Sequence, residues 1–516
     1  MNPASRTSSA ETLDRAAAVL LLALGILGSG AAAAWLGQDG GWDLRNYHWY
    51  VPYALLHGRL GFDVLPAFMG PSFHNPLVDL PFYLAVTAFG PLAGSVGLGL
   101  VQGLNALPLY AIGRRVLPAL PRSGAALLAL GGISAAMNIG LIGATAGDNI
   151  LSLFVLGSIA ALLGGSPLAA GLLAGAGFGL KPVLAPFVVG LTLTVAAGAF
   201  RRGGLRHFLG FAAAGIGGTA LTGGFWMALL AADFGNPLMP YYNDIFASPY
   251  VPPLRFADPG FTQGVPWPRV QLPFLAGLVD HISSEAVFTD LRLPLAYGGA
   301  LVLLGLRLLG RLPRGPAATL ALVTVATLVP WSLLFAIYRY ALGFALLGPL
   351  LAAAALAHLV AARRAALGAG VLMLAVLLVT TRMPETERVP FGPDLAGVEA
   401  PPIAEPERAV VLMAGLTPSA FLIPSFPEGV RFLRFDGFWI DPAEQKAGYA
   451  AEIRRALAEA GPARLILFDP TERERVASAL ATFSPGLSIG ACRPVRHRFE
   501  PAGTNWGRFA LCDLEG

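Results

Sequence analysis

The chain has 516 residues, of which 55% are hydrophobic and only 13% charged. Soluble domains carry roughly 25% charged residues, and here the apolar residues form long runs, which excludes an ordinary soluble globular protein. The net charge of +4 comes from arginines in short clusters between those runs and not along one face, which argues against a nucleic-acid partner.

Runs of about 20 apolar residues can cross a bilayer. In chain order they fall near 16–37, 94–113, 123–142, 149–164, 167–180, 182–200, 207–230, 293–310, 316–337, 340–362 and 365–381. Basic residues at span ends mark cytoplasmic loops. With Arg6 and Arg15 inside, the inner loops carry Arg114, Arg115 and Arg122, then Arg201, Arg202 and Arg206, then Arg307, Arg311 and Arg314, then Arg363 and Arg364. The acids Asp39, Asp43, Asp63, Asp79, Asp148, Asp233, Asp244, Asp258, Asp280, Glu285 and Asp290 all fall in outer loops. The expectation is an α-helical polytopic protein of a bacterial inner membrane, with about 11 transmembrane helices, a cytoplasmic amino terminus and a periplasmic carboxyl end. The run 75–91, interrupted by Pro76, Asp79 and Pro81, reads as a helix at the outer interface. The first span reads as a retained helix, although its small residues Ala31–Ala34 resemble the end of a cleavable signal.

Residues 1–384 then form a membrane module with outer loops 38–93 and 231–292, and 385–516 form a compact α/β domain outside the membrane. In the tail, Ala409–Met413, Arg431–Phe435 and Arg464–Phe468 read as buried strands, and Pro442–Ala460 and Thr471–Phe483 as helices. Segments 487–500 and 506–513 read as a hairpin turning at Pro501–Ala502–Gly503. That register sets the only two cysteines, Cys492 and Cys512, opposite each other, and a disulfide between them fits an oxidising compartment. Two buried free thiols are the plainer alternative. Phe435, Phe438, Trp439 and Tyr449 suit stacking on sugar, with core packing the expected fate of most.

Candidate site residues lie in the outer segments. The first loop reads Trp42-Asp43-Leu44-Arg45-Asn46-Tyr47-His48-Trp49-Tyr50. Its aromatics also suit an interfacial belt, and Asp43 a solvated acid. Asp148 stands beside Asn149 at the junction of two apolar spans, where an ionisable group is costly and hence a functional candidate. Lys181 is one of two lysines, Lys446 being the other; a compact ammonium between two spans has either a specific task or a snorkelling one. The long loop 231–292 opens with Asp233-Phe234-Gly235-Asn236-Pro237, and loops of such length are usually functional or disordered. Arg339, in Tyr338-Arg339-Tyr340, suits a phosphate through charge-assisted hydrogen bonds or an interfacial anchor.

Taken together these features resemble the GT-C superfamily of membrane glycosyltransferases, which includes the protein O-mannosyltransferases and the lipid A aminoarabinose transferases. The resemblance rests on an acid just after the first span (Asp43), a second after the third span (Asp148), and His74-Asn75-Pro76 and Leu180-Lys181-Pro182 in place of the relatives' His-Pro-Pro and Thr-Lys-Gly. It implies a polyprenyl-phosphate sugar donor and a glycan, lipid or protein acceptor. Asp43 and Asp148 would be the catalytic acids, with Asp43 the general base. Tyr47, Arg45 and Asn236 would contact substrate, and His48 would support Asp43 or bind substrate. Lys181 and Arg339 would face the leaving phosphate. The cofactor is left open, a divalent metal ion held by Asp43 and Asp148 being the one candidate. Two rivals remain: a transporter or flippase of lipid-linked or small polar substrates using the same buried charges, and a non-catalytic assembly protein.

Overall fold

The computed structural model describes residues 3–199, 204–253, 261, 268–444, 446–499 and 509–516. Arg201, Arg202, Asp258 and the turn Pro501–Ala502–Gly503 lie outside the described residues, as do the side chains of Arg6 and Arg363.

The chain forms two compact units, interleaved in sequence. Unit 1 comprises Met1–Trp35, Val96–Gly224 and Asp258–Thr386; unit 2 comprises Leu36–Ser95, Phe225–Ala257 and Glu387–Gly516. The carboxyl segment is thus grouped with the first-loop residues, where the sequence suggested a single division after residue 384.

Four helices among the described residues are long and apolar enough to cross a membrane: Ser9–Leu36, Pro91–Val116, Gly204–Phe234 and Pro316–Leu334. A fifth arises if Tyr338–Leu346 and Gly348–Leu359, bent by 46°, count as one span. Such helices fit membrane association. The expected count of about 11 is not supported, and the reason is length. The remaining apolar runs form helices of 10–17 residues, among them Arg122–Ile133, Asp148–Leu163 and Pro167–Leu180. At 1.5 Å per residue these reach about 15–26 Å, short of a hydrocarbon core of about 30 Å. Hydropathy registers the apolar run 123–142 but not the turn at Ser134–Ala135 that cuts it.

Unit 1 is all helical, and its packing depends on small residues. Gly171 and Gly175, four apart on Pro167–Leu180, lie against the carbonyls of Phe211 and Gly215 on the helix from Gly204, so close that no Cβ fits at either. Thr219 and Thr222 donate across the same seam to Gly175 O (3.1 Å) and Ala176 O (2.8 Å). Small residues at four-residue spacing are how helices approach where no hydrophobic force separates lipid from protein. A second fixed point is the ion pair of Asp290 and Arg292, both fully buried. Arg292 Nη1 lies 2.9 Å from Asp290 Oδ1, while its other donors reach Gly131 O, Ser134 Oγ and Thr381 Oγ1. Asp290 Oδ2 accepts from Ala136 N at 2.7 Å.

In unit 2, β1 (Gln38–Asp39) pairs antiparallel with β2 (Arg388–Val389). The main sheet is built from β3 (Val410–Met413), β4 (Arg431–Arg434), β5 (Arg464–Phe468), β6 (Ser488–Val495) and β7 (Phe509–Glu515), in the order β4-β3-β5-β7-β6. Strands β3, β4 and β5 run parallel, and β7 and β6 add antiparallel pairs. All four residues of β3 are buried, the pattern of a parallel strand covered on both faces. The α-helices of the carboxyl segment among the described residues are Gly448–Glu459, starting later than the Pro442 expected from sequence, and Arg473–Phe483. Cys492 pairs with Cys512 across β6 and β7, and the two are joined by a disulfide.

The first-loop segment docks on this sheet by backbone pairing. Val64 N donates to Phe432 O and Arg434 N to Val64 O, both at 2.9 Å, so Val64 extends the edge strand β4. The neighbouring Asp63 is buried. Its Oδ1 accepts from Phe432 N (2.9 Å) and Arg59 Nη2 (2.8 Å), and its Oδ2 from Arg59 Nε (2.7 Å) and Tyr50 OH (2.8 Å). Burial raises the Asp63 pKa and the Arg59 pair opposes that rise. With all partners in place the group acts as a structural clasp.

Candidate functional site

Unit 2 brings Asp43, Arg45, Tyr47 and His48 onto one short element. After Trp42 and Asp43, residues Leu44–His48 form a π-helix. A π-turn inserts an extra residue into each turn, is rare, and occurs often at functional sites. Half-buried Asp43 stands at its head. Arg45 Nη2 lies 2.6 Å from the more exposed Glu387 carboxylate.

The far end of the turn is sealed. His48 is 1% exposed, and its Nδ1 lies 2.8 Å from Oδ1 of buried Asp79. That approach is of ion-pair length, and neither ring nitrogen makes a hydrogen bond among the described residues. Tyr47 packs between imidazoles, 4.0 Å from the His48 ring centroid and 4.8 Å, edge-on, from that of His74. Asn46 is fully buried, and neither its Nδ2 nor its Oδ1 has a hydrogen-bond partner among the described residues. Sequence reasoning matched His48 with Asp43; the structure matches it with Asp79, 31 residues on, a partner that only folding reveals. His497 is a second residue missed, buried beside the Phe421 and Phe509 rings. Burial first, and the Arg45 charge second, lower its pKa to about 3.

A small open pocket of about 30 Å³ also lies within unit 2, lined by Tyr50, Arg59, Phe73, Trp226, Phe234 and Tyr250 among others. Asn236 is fully buried, and its amide is engaged inside its own loop: Oδ1 accepts from Leu238 N (2.8 Å) and Nδ2 donates to Tyr241 O (3.1 Å). That arrangement shapes a turn and leaves little of the amide for substrate.

Unit 1 brings Asp148 and Lys181 to one turn. Asp148 opens the helix Asp148–Leu163 after Gly147, whose φ of 81° favours glycine. Asp148 is 3% exposed, and its Oδ2 has no hydrogen-bond partner among the described residues. Lys181, also buried, donates from Nζ to Ala146 O at 3.0 Å. Around them Gln102 bridges Gly143 N, Leu141 O and Ala144 O, and Asn105 donates to Asn149 O at 2.7 Å. Arg339 sits in the 3-10 segment Tyr338–Ala341, with its guanidinium 5.6 Å from the Tyr340 ring centroid.

Asp43 belongs to unit 2 and Asp148 to unit 1. Among the described residues no three His, Cys, Asp or Glu side chains gather as a metal-ligand set. Comparison with protein-family models, curated proteins and solved structures finds no match. The functional reading therefore rests on the residues.

Proposed function

We propose that this chain is a membrane glycosyltransferase, moving a sugar from a polyprenyl-phosphate donor to an acceptor hydroxyl on the outer face of a bacterial inner membrane. The observation that carries the reading is the π-helical turn behind Asp43, which sets a carboxylate, a guanidinium and a buried imidazole, the last in contact with Asp79, within six residues of chain. The apolar helices supply the setting a lipid-linked donor needs.

In this reading Asp43 takes the proton of the acceptor hydroxyl as its oxygen attacks the anomeric carbon. The bond from that carbon to the phosphate oxygen breaks, and its electron pair leaves with the polyprenyl phosphate. A single displacement inverts the anomeric centre. Arg45, held by an exposed carboxylate, can exchange Glu387 for an anionic substrate group. His48, Asp79 and Tyr47 hold the turn in shape. Asp148, Lys181 and Arg339 enter as residues whose replacement tests whether unit 1 takes part. The experiment is release of polyprenyl phosphate by purified protein from a panel of polyprenyl-phosphate sugars, with Asp43→Asn as control. Full activity in that variant sinks the assignment.

A second reading, a transporter or flippase, is favoured by the helix pair broken by 46° and by buried Asp148, whose Oδ2 has no hydrogen-bond partner among the described residues. Broken helices and buried charges are recurrent features of substrate paths. It predicts lipid or solute movement in proteoliposomes that Asp148→Asn stops and Asp43→Asn leaves intact.

A further inference from the structure

We propose that Trp42, Phe438 and Trp439 form a stacking platform for a neutral glycan in unit 2. The four tail aromatics divide on folding. Phe435 and Tyr449 enter the core, whereas Phe438 is 40% exposed and Trp439 49%. Surface exposure of two large adjacent aromatics is costly unless something covers them.

The exposure is built by the turn that follows β4. Gly437 and Ile440 close an antiparallel bridge, with Phe438 and Trp439 at its tip. Trp439 has a φ of 60°, a left-handed conformation that is rare for a bulky residue. A Cβ at Gly437 would stand 2.5 Å from the Phe68 ring, so glycine alone lets that ring lie under the turn. Phe68 is buried, with the Arg434 guanidinium 4.3 Å from its centroid and the Trp42 ring parallel to it at 5.7 Å. Phe438 meets both rings edge-on, at 5.4 Å from Phe68 and 5.9 Å from Trp42. The platform thus rests on a buried ring, while Trp42, Phe438 and Trp439 make up its surface.

The surrounding charge selects the occupant. On the turn Asp441 is exposed and Glu444 half-buried, Asp436 being buried and paired with Arg475, and Asp43 follows Trp42 in the chain. An anionic lipid surface attracts basic segments and is repelled by acidic ones. Carboxylates beside flat apolar rings suit a sugar, whose hydroxyls donate to the acids and whose C–H face covers the rings. The position beside Asp43 makes the acceptor glycan the natural occupant; that role rests on the transferase reading, whereas binding does not.

The test titrates the purified full-length protein in detergent with cellohexaose, a neutral hexose oligomer, and follows tryptophan fluorescence. Wild-type protein should bind it. Phe438→Leu keeps the apolar surface and removes the flat ring, and Trp439→Asn keeps a residue that tolerates the left-handed turn. Each should weaken binding about five- to tenfold, as expected for loss of one aromatic contact, with unchanged thermal unfolding. Absence of binding by wild type, or equal binding by Phe438→Leu and Trp439→Asn, overturns the platform. Glycan binding without donor turnover leaves the platform standing and removes the transferase reading.

Discussion

Two buried polar clusters, one in each unit, meet the same physical problem in opposite ways. Around Arg292 in unit 1 each guanidinium nitrogen has an acceptor and both Asp290 oxygens are engaged. Around Asn46 and His48 in unit 2 the burial is as deep, yet both amide atoms and both imidazole nitrogens lack hydrogen-bond partners among the described residues. A fully satisfied network rigidifies a fold, while each unmet buried group costs about 1–3 kcal/mol. Such a cost tends to persist where function needs the group. The comparison teaches that depth of burial does not distinguish structural from functional polarity; completeness of hydrogen bonding does.

The largest expected effect separates the units by activity. Asp43→Asn should lower transfer by about two to four orders of magnitude, the usual contribution of a general base, with the melting temperature unchanged. The next separates them by stability. Asp290→Ala leaves the Arg292 guanidinium buried without its counter-ion and should destabilise the protein by about 3–5 kcal/mol. Thermal unfolding measures this, and turnover per folded molecule should be preserved.

A smaller effect comes from acid. His497 is neutral in the fold with a pKa near 3, against 6.5 when unfolded. Below pH 6.5 the unfolded chain therefore binds the proton that the fold refuses, and stability falls as pH drops towards 3. His497→Phe should flatten this part of the melting-temperature profile. The smallest change sharpens the comparison most. Asn46→Leu removes unmet polar atoms and should leave stability within about 1 kcal/mol of wild type or raise it, while turnover falls. A stability loss like that of Asp290→Ala would make Asn46 structural and erase the contrast.

What the sequence made legible was local. The apolar runs of β3, β4 and β5 and the helix Arg473–Phe483 lie within two residues of where their patterns put them, because buried strands and amphipathic helices are written in short-range periodicity. The helix count was not legible: a run such as 123–142 reads as continuous, while backbone turns divide it into Arg122–Ile133 and Ala136–Gly140. Nor was the site's pairing. His48 with Asp79, Val64 on the edge of β4, and Trp42 beside Phe438 join residues that only tertiary contact brings together. The fate of Asn236 was hidden for another reason, since an Asn-Pro turn and a substrate-binding amide have the same composition.

The most direct test of the central claim is single-turnover release of polyprenyl phosphate from polyprenyl-phosphate sugars, comparing wild-type protein with Asp43→Asn in the same detergent. The account predicts release by wild type and almost none by the variant, with equal donor binding by both. Equal release by both, or no release and no donor binding by wild type across the sugar panel, contradicts it.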